Sequence, residues 1–190
     1  MRRDADDRSR NFVTVSLALA LVFGASTTIK FVEFSEFRGA LENYRIVPER
    51  LSLPAAVIVP ISELGAAIGM LTPRVHAAAA MLLIFLLAIF TVAIALNMMR
   101  GRLYIDCGCF GPMLRQPLSN WLLVRNGVLM LLGLVALMPN DARVMTWLDV
   151  VTITLGASTM VILYGAANYL LANAPASNKM KRLAMEPSDA

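Results

Sequence analysis

Charge is scarce in this sequence. Asp, Glu, Lys and Arg make up 16% of the 190 residues, against roughly 25% in an ordinary soluble domain. Apolar residues reach 58%, above the roughly 45–50% of water-soluble chains. This balance excludes a soluble globular domain and points to a bilayer, where a helix of about 20 apolar residues crosses the hydrocarbon and satisfies its own backbone hydrogen bonds. Histidine occurs once and cysteine twice. His76 falls in a short turn on the face opposite the cysteines, so Cys and His cannot assemble a four-ligand zinc site. No basic face interleaved with aromatics is present either. The formal charge of +4 sits in tails and links, which argues against nucleic acid as a partner.

What is present is a succession of apolar runs near spanning length, at 12–31, 53–71, 77–99, 121–138 and 148–172. They predict an all-α integral membrane protein, a bundle of about five transmembrane helices, with a polar head at 1–11 and a polar tail at 173–190. The head mixes arginines with aspartates and leads into a run long enough to span, so it is expected to remain in the mature protein rather than to be cleaved as a signal peptide. Residues 73–76 and 139–147 make short turns between antiparallel neighbours, and Pro73 and Pro139 are suited to ending helices. The longer links, 32–52 and 100–120, then share one face of the membrane. In the first of them Phe34, Phe37, Leu41 and Tyr44 recur at helical spacing among Glu33, Glu36, Arg38, Glu42 and Arg45. That pattern reads as an amphipathic helix at the interface, placed to act as a lid over the second link.

The second link contains the only cysteines, in Asp106-Cys107-Gly108-Cys109-Phe110-Gly111-Pro112. Residues two apart can bring their Cα atoms within the roughly 4.4–6.8 Å of a disulfide, but the small ring is strained. Gly108 lowers that cost, and a strained disulfide is the oxidising, readily exchanged kind. The pair therefore reads as a site for passing disulfides on rather than for stapling a fold. Gly111 and Pro112 set a turn that holds it near the membrane plane. Arg100, Arg102 and Arg115 favour the thiolate and Asp106 opposes it. A cuprous ion is an alternative occupant, with Cys107, Cys109 and Met113 as soft ligands and Met98 and Met99 nearby.

Orientation draws two opposed arguments. Arg2, Arg3, Arg8, Arg10, Arg74 and Arg143 lie on the side of the N-terminus and are outnumbered by the basic residues of the long links and C-terminal tail. The positive-inside rule puts the cysteine face in the cytoplasm on that count. A paired-cysteine redox site has most use in an oxidising compartment, and the expectation adopted is an inner-membrane protein with its cysteines on the periplasmic face.

Within the spans, Glu63 lies near the middle of the second, where an ionisable group is costly and faces a bundle interior or cavity. Lys30, near the end of the first span, is its expected partner. The pair has two readings, a tie between helices or a proton-handling or cofactor-contacting role. Arg125, about a turn inside the fourth span, either snorkels to the interface or holds a polar head beneath the cysteine link. Gly65 and Gly69 form a small-xxx-small face whose expected role is close helix packing.

With these residues in view, the chain resembles the MauE family of methylamine-utilisation membrane proteins, within the DoxX-like group. The resemblance runs from the first span through the fourth. It rests on Ser26-Thr27-Thr28-Ile29-Lys30-Phe31, on Tyr44-Arg45-Ile46-Val47-Pro48, on Leu53-Pro54 leading to Glu63, and above all on 97–111 with its Asp106 to Gly111 block, followed by Arg125-Asn126. It implies participation, with a thioredoxin-like MauD-type partner, in maturing periplasmic methylamine dehydrogenase, whose small subunit is disulfide-rich. For Cys107 and Cys109 it implies disulfide exchange with that partner. By analogy of layout with vitamin K epoxide reductase and DsbB, a membrane quinone is the expected electron acceptor, with Glu63, Lys30 and Arg125 as cofactor-contacting residues. A membrane anchor or scaffold for the thioredoxin-like protein, without redox turnover, is the alternative from a different class.

Overall fold

The computed structural model describes residues 2–102, 118–137 and 147–185, with side chains described within 12–102, 118–137 and 147–170, Leu148 excepted. Among these residues the chain is entirely helical: α1 (Arg2–Val32), α2 (Phe34–Tyr44), α3 (Glu49–Gly69), α4 (His76–Met99), α5 (Asn120–Val135) and α6 (Trp147–Met185). Four of them contain stretches long and apolar enough to cross a bilayer: Phe12–Val32, Glu49–Gly69, His76–Met99 and Asp149–Leu170. α5 is apolar but only 16 residues long, about 24 Å at 1.5 Å per residue, shorter than the span expected over 121–138. Residues 173–185, expected to form part of a polar tail, continue α6 as helix.

The amphipathic segment of the first link forms as read. α2 buries Phe37, Ala40 and Tyr44 and packs against α1 and α3, leaving Ser35, Glu36 and Asn43 exposed. α3 starts at Glu49, four residues before the expected boundary, behind Pro48 at its N-cap, and runs through Pro54 and Pro60. A membrane helix tolerates interior proline when neighbouring groups take up the freed carbonyls. α4 ends on Gly101, whose φ of 73° is the left-handed geometry that glycine adopts without penalty. The Gly101 and Arg102 N–H groups bond back to the Met98 and Asn97 carbonyls, a Schellman closure that turns the chain sharply into the cysteine link.

Side-chain contacts fix the directions of the helices. Ser16 and Lys30 of α1 meet His76 and Phe90 of α4 in the same order, so α1 and α4 are parallel. Lys30 meets Glu63 while Val15 and Leu19 share a cluster with Met70, so α3 is antiparallel to α1. Thr91 meets Asn126, and Ile94 and Leu122 lie together, so α5 is antiparallel to α4. Gly156 of α6 packs on Thr14 near the start of α1 and Asn168 reaches Arg125, so α6 ascends beside α1. Alternation places both long links at one end of the bundle. The His76 turn and the start of α1 occupy the other, where the His76 ring lies 4.7 Å from that of Phe12.

The main core fills that second end. Val15, Leu19, Phe23, Ala66, Ala67, Met70, Ala79, Ala80, Leu83, Leu87, Leu129 and Ala136 form one buried cluster from α1, α3, α4 and α5. Alanine and glycine allow the close approach: a Cβ added at Gly69 would stand 2.7 Å from Ala79 Cβ. Gly69 therefore serves packing as expected, whereas Gly65 is exposed and a Cβ there meets nothing.

Candidate functional site

Between the main core and the link end lies a polar layer. On α4, Leu87 belongs to the main core and Ile94 to a small second cluster with Tyr44, Leu118 and Leu122; Phe90 and Thr91 fall between them. On α5, Leu129 and Leu122 occupy the same two clusters, and Arg125 and Asn126 lie between. Apolar packing above and below thus encloses the groups that cost most to bury.

The Lys30–Glu63 pair is the centre of this layer. Lys30 Nζ donates to both carboxylate oxygens of Glu63, at 2.5 and 2.6 Å, and the two residues are 2% and 1% exposed. Thr27 Oγ1 donates to Glu63 Oε2 at 3.3 Å, one helical turn before Lys30 on the same face of α1. The ammonium also lies 5.2 Å from the Phe37 ring of α2 and 4.9 Å from the Phe90 ring of α4, within cation–π range. One side chain thereby ties α1, α2, α3 and α4 together.

Arg125 completes the layer from α5. At 5% exposure it turns into the bundle and does not snorkel to the interface. Nε and Nη2 donate to Asn126 Oδ1 at 3.3 and 3.2 Å, and Nη1 to Asn168 Oδ1 of α6 at 3.5 Å. Asn126 Nδ2 donates onward to Thr91 Oγ1 at 3.3 Å, and Asn168 Nδ2 to the Tyr164 carbonyl at 2.7 Å. Three residues singled out from sequence, Glu63, Lys30 and Arg125, therefore line one cavity together with Asn126, Phe90 and Tyr164. Thr27, Thr91 and Asn168 belong to the layer as well and were not expected there. A hydroxyl or amide inside an apolar run is a detectable signal, but nothing in the spacing says which of many such residues share a level.

The cavity has a volume of about 30 Å³, room for one or two waters with several polar partners. Above the layer two buried polar atoms lack a hydrogen-bond partner among the described residues, Asn97 Oδ1 and Trp121 Nε1. Cys107 and Cys109, with Asp106, Met113 and Arg115, lie outside the described residues. The ends of their link are described: Arg102 follows the Gly101 turn, and Leu118 packs with Tyr44, Ile94 and Leu122.

The family described as Methylamine utilisation protein MauE matches residues 9–139. The chain belongs to the MauE family. The match covers α1 to α5, takes in the cysteine link and the whole polar layer except the α6 residues, and stops before α6. Among similar proteins, one named Methylamine utilization protein MauE from Paracoccus versutus is 38% identical over 154 residues, 80% of this chain and 82% of that protein. Its namesake from Paracoccus denitrificans is 36% identical over 164 residues, 85% and 88% of the two chains. A third, from Methylorubrum extorquens, is 39% identical over 159 residues, covering 82% and 84%. No solved structure matches the chain. Family membership and the apolar helices together make this a multi-pass membrane protein of the MauE type.

Proposed function

We propose that this protein is a membrane thiol–disulfide oxidoreductase that accepts electrons from a thioredoxin-like MauD-type partner during maturation of methylamine dehydrogenase. The observation that carries the reading is the placement of the sole Cys-Gly-Cys pair on the link between α4 and α5, anchored at one side by the Gly101 turn and at the other by Leu118. The relatives' names supply the methylamine context.

In the proposed exchange a partner thiolate attacks one sulfur of the Cys107–Cys109 disulfide, and the other cysteine leaves as thiolate. The partner's second thiolate then displaces the remaining cysteine, so the partner gains a disulfide and Cys107 and Cys109 become thiols. Reoxidation removes two electrons and two protons, which a membrane quinone, our proposed acceptor, takes up to become quinol. We place the pair on the periplasmic face of the inner membrane, because the oxidising compartment is where a disulfide donor has clients. Lys30, Glu63 and Arg125 form a buried polar layer around a water-sized cavity, and proton handling is the role we give them.

The test is capture of the covalent intermediate. At least one of Cys107→Ser and Cys109→Ser should accumulate a reducible adduct with the thioredoxin-like protein on non-reducing electrophoresis, and the double variant none. Loss of function in both single variants without any adduct would overturn direct exchange and favour the cuprous-ion reading. Full maturation with both cysteines replaced would leave only a scaffold.

A further inference from the structure

The turn between α2 and α3 forms an open groove of about 460 Å³ lined by Glu42, Arg45, Ile46, Val47, Pro48 and Glu49. We infer that this groove is where the redox partner docks, receiving an extended segment that carries an apolar side chain between an acidic and a basic residue. The inference rests on the exchange reading above and adds the surface and the chemistry of recognition.

Three observations support it. The first is position: Tyr44, immediately before the groove, is buried against Leu118 and Leu122, the described end of the cysteine link. A protein seated in the groove therefore stands near Leu118, the residue at which the connection bearing Cys107 and Cys109 rejoins the described bundle. The second is composition. Ile46 is 40% exposed beside exposed Pro48 and half-buried Val47, which supply apolar lining, and Arg45 and Glu49 are exposed lining residues as well. Glu42 is already engaged by Arg38 at 2.9 Å and Ser52 at 2.9 Å. Arg45 and Glu49 have no side-chain ion pair or hydrogen bond among the described residues, so one cation and one anion remain available to a partner. Complementary rim charges of this kind steer encounter and set register more than they add affinity.

The third observation is backbone. Arg45 has a φ of 50° and a ψ of 35° at the C-terminal cap of α2, a left-handed position normally given to glycine or asparagine. The cap thus fixes the backbone from which the exposed Arg45 side chain leaves, among the residues that line the groove. The 46–48 stretch that follows leaves the helix without re-entering one until Glu49, so it offers a short non-helical edge to an extended segment. α2 itself is held down by Phe37 over the Lys30 ammonium, which makes the groove a fixed feature of the bundle surface.

The experiment uses the full-length protein in membranes and the purified thioredoxin-like protein. In whichever single-cysteine variant captures the partner, Arg45→Gly and Glu49→Lys should each slow adduct formation by about tenfold. Arg45→Gly removes the cation at a φ that glycine adopts freely, so its effect is not one of misfolding. Reaction of the remaining cysteine with a small disulfide, oxidised glutathione, should be unchanged. Independently of exchange, a photoreactive residue at Ile46 of the wild-type chain should crosslink the same purified protein. Unaltered adduct rates in both groove variants, an equal slowing with glutathione, or no crosslink from Ile46 would each overturn the docking site. Absence of adduct from the parent single-cysteine variants with an intact Ile46 crosslink would support the groove while refuting exchange.

Discussion

The two halves of the bundle are built on different principles. The half around the His76 turn is a dry core of alanine, leucine and a close Gly69–Ala79 contact. The half beneath the cysteine link buries an ion pair, an arginine and two amides around a water-sized cavity. Packing alone accounts for the first, because small and branched side chains at high density are what hold membrane helices together. It does not account for the second, since replacing a buried pair with well-fitted apolar residues is often neutral or stabilising. On the function proposed above, the chemistry belongs to the half that stability does not require.

The largest test breaks the pair itself. Glu63→Gln leaves the Lys30 ammonium buried without its counter-charge, and the loss should be about 3–5 kcal/mol, read as a lowered unfolding temperature in detergent. Replacing both, Lys30→Met with Glu63→Leu, should recover most of that stability yet fail to support dehydrogenase maturation. Normal maturation by the double variant would reduce the polar layer to a helix tie. In the other half, Leu83→Ala opens a void at a 1% exposed position of the main core and should cost about 2–4 kcal/mol. Here the activity per folded molecule should be unchanged, and a fall in it would erase the contrast between the halves. A smaller change, Thr91→Val, removes the acceptor of Asn126 Nδ2 at a cost of about 1 kcal/mol. If the layer handles protons, maturation should slow by more than this loss of stability explains.

The mildest effect concerns α2. The Ser52 hydroxyl, and after it the Arg38 guanidinium, hold the exposed Glu42 carboxyl below its ordinary range. A depressed folded-state value stabilises above the unfolded pKa of about 4.3 and is lost as pH falls through the folded value. Ser52→Ala should therefore lower the unfolding temperature slightly at neutral pH, and the gap from wild type should shrink in acid. A gap that widens in acid would contradict the assignment.

Much of this architecture is readable from residue order alone. Spacing gives the amphipathic α2, the proximity of Lys30 and Glu63 follows from antiparallel neighbours, and the common end for both long links follows from alternation. The start of α3 was misplaced because Leu53-Pro54 looks like a boundary, whereas the bundle tolerates the interior proline. Asn168 was missed for a deeper reason. Its level opposite Arg125 depends on how far α6 slides along α1, which Gly156 against Thr14 decides, and no local pattern encodes that register. For Arg125, spacing allows a snorkelling side chain, and the burial of its guanidinium removes that reading.

The shortness of α5 has a consequence for the lipid. α4 has 24 residues and α5 only 16, so at 1.5 Å per residue they differ by about 12 Å in length. Ile94 and Leu122 share a level, from which α4 rises five residues to Met99 and α5 only two to Asn120. Measured from that level, α4 reaches about 4–5 Å beyond the first residue of α5, a step between two neighbouring helices. Acyl chains beside a hydrophobic stretch shorter than the roughly 30 Å hydrocarbon must thin or tilt to cover it. A change in membrane thickness should therefore load α5 before it loads α4, so that the lipid composition of the host membrane acts on the bundle through its shortest helix.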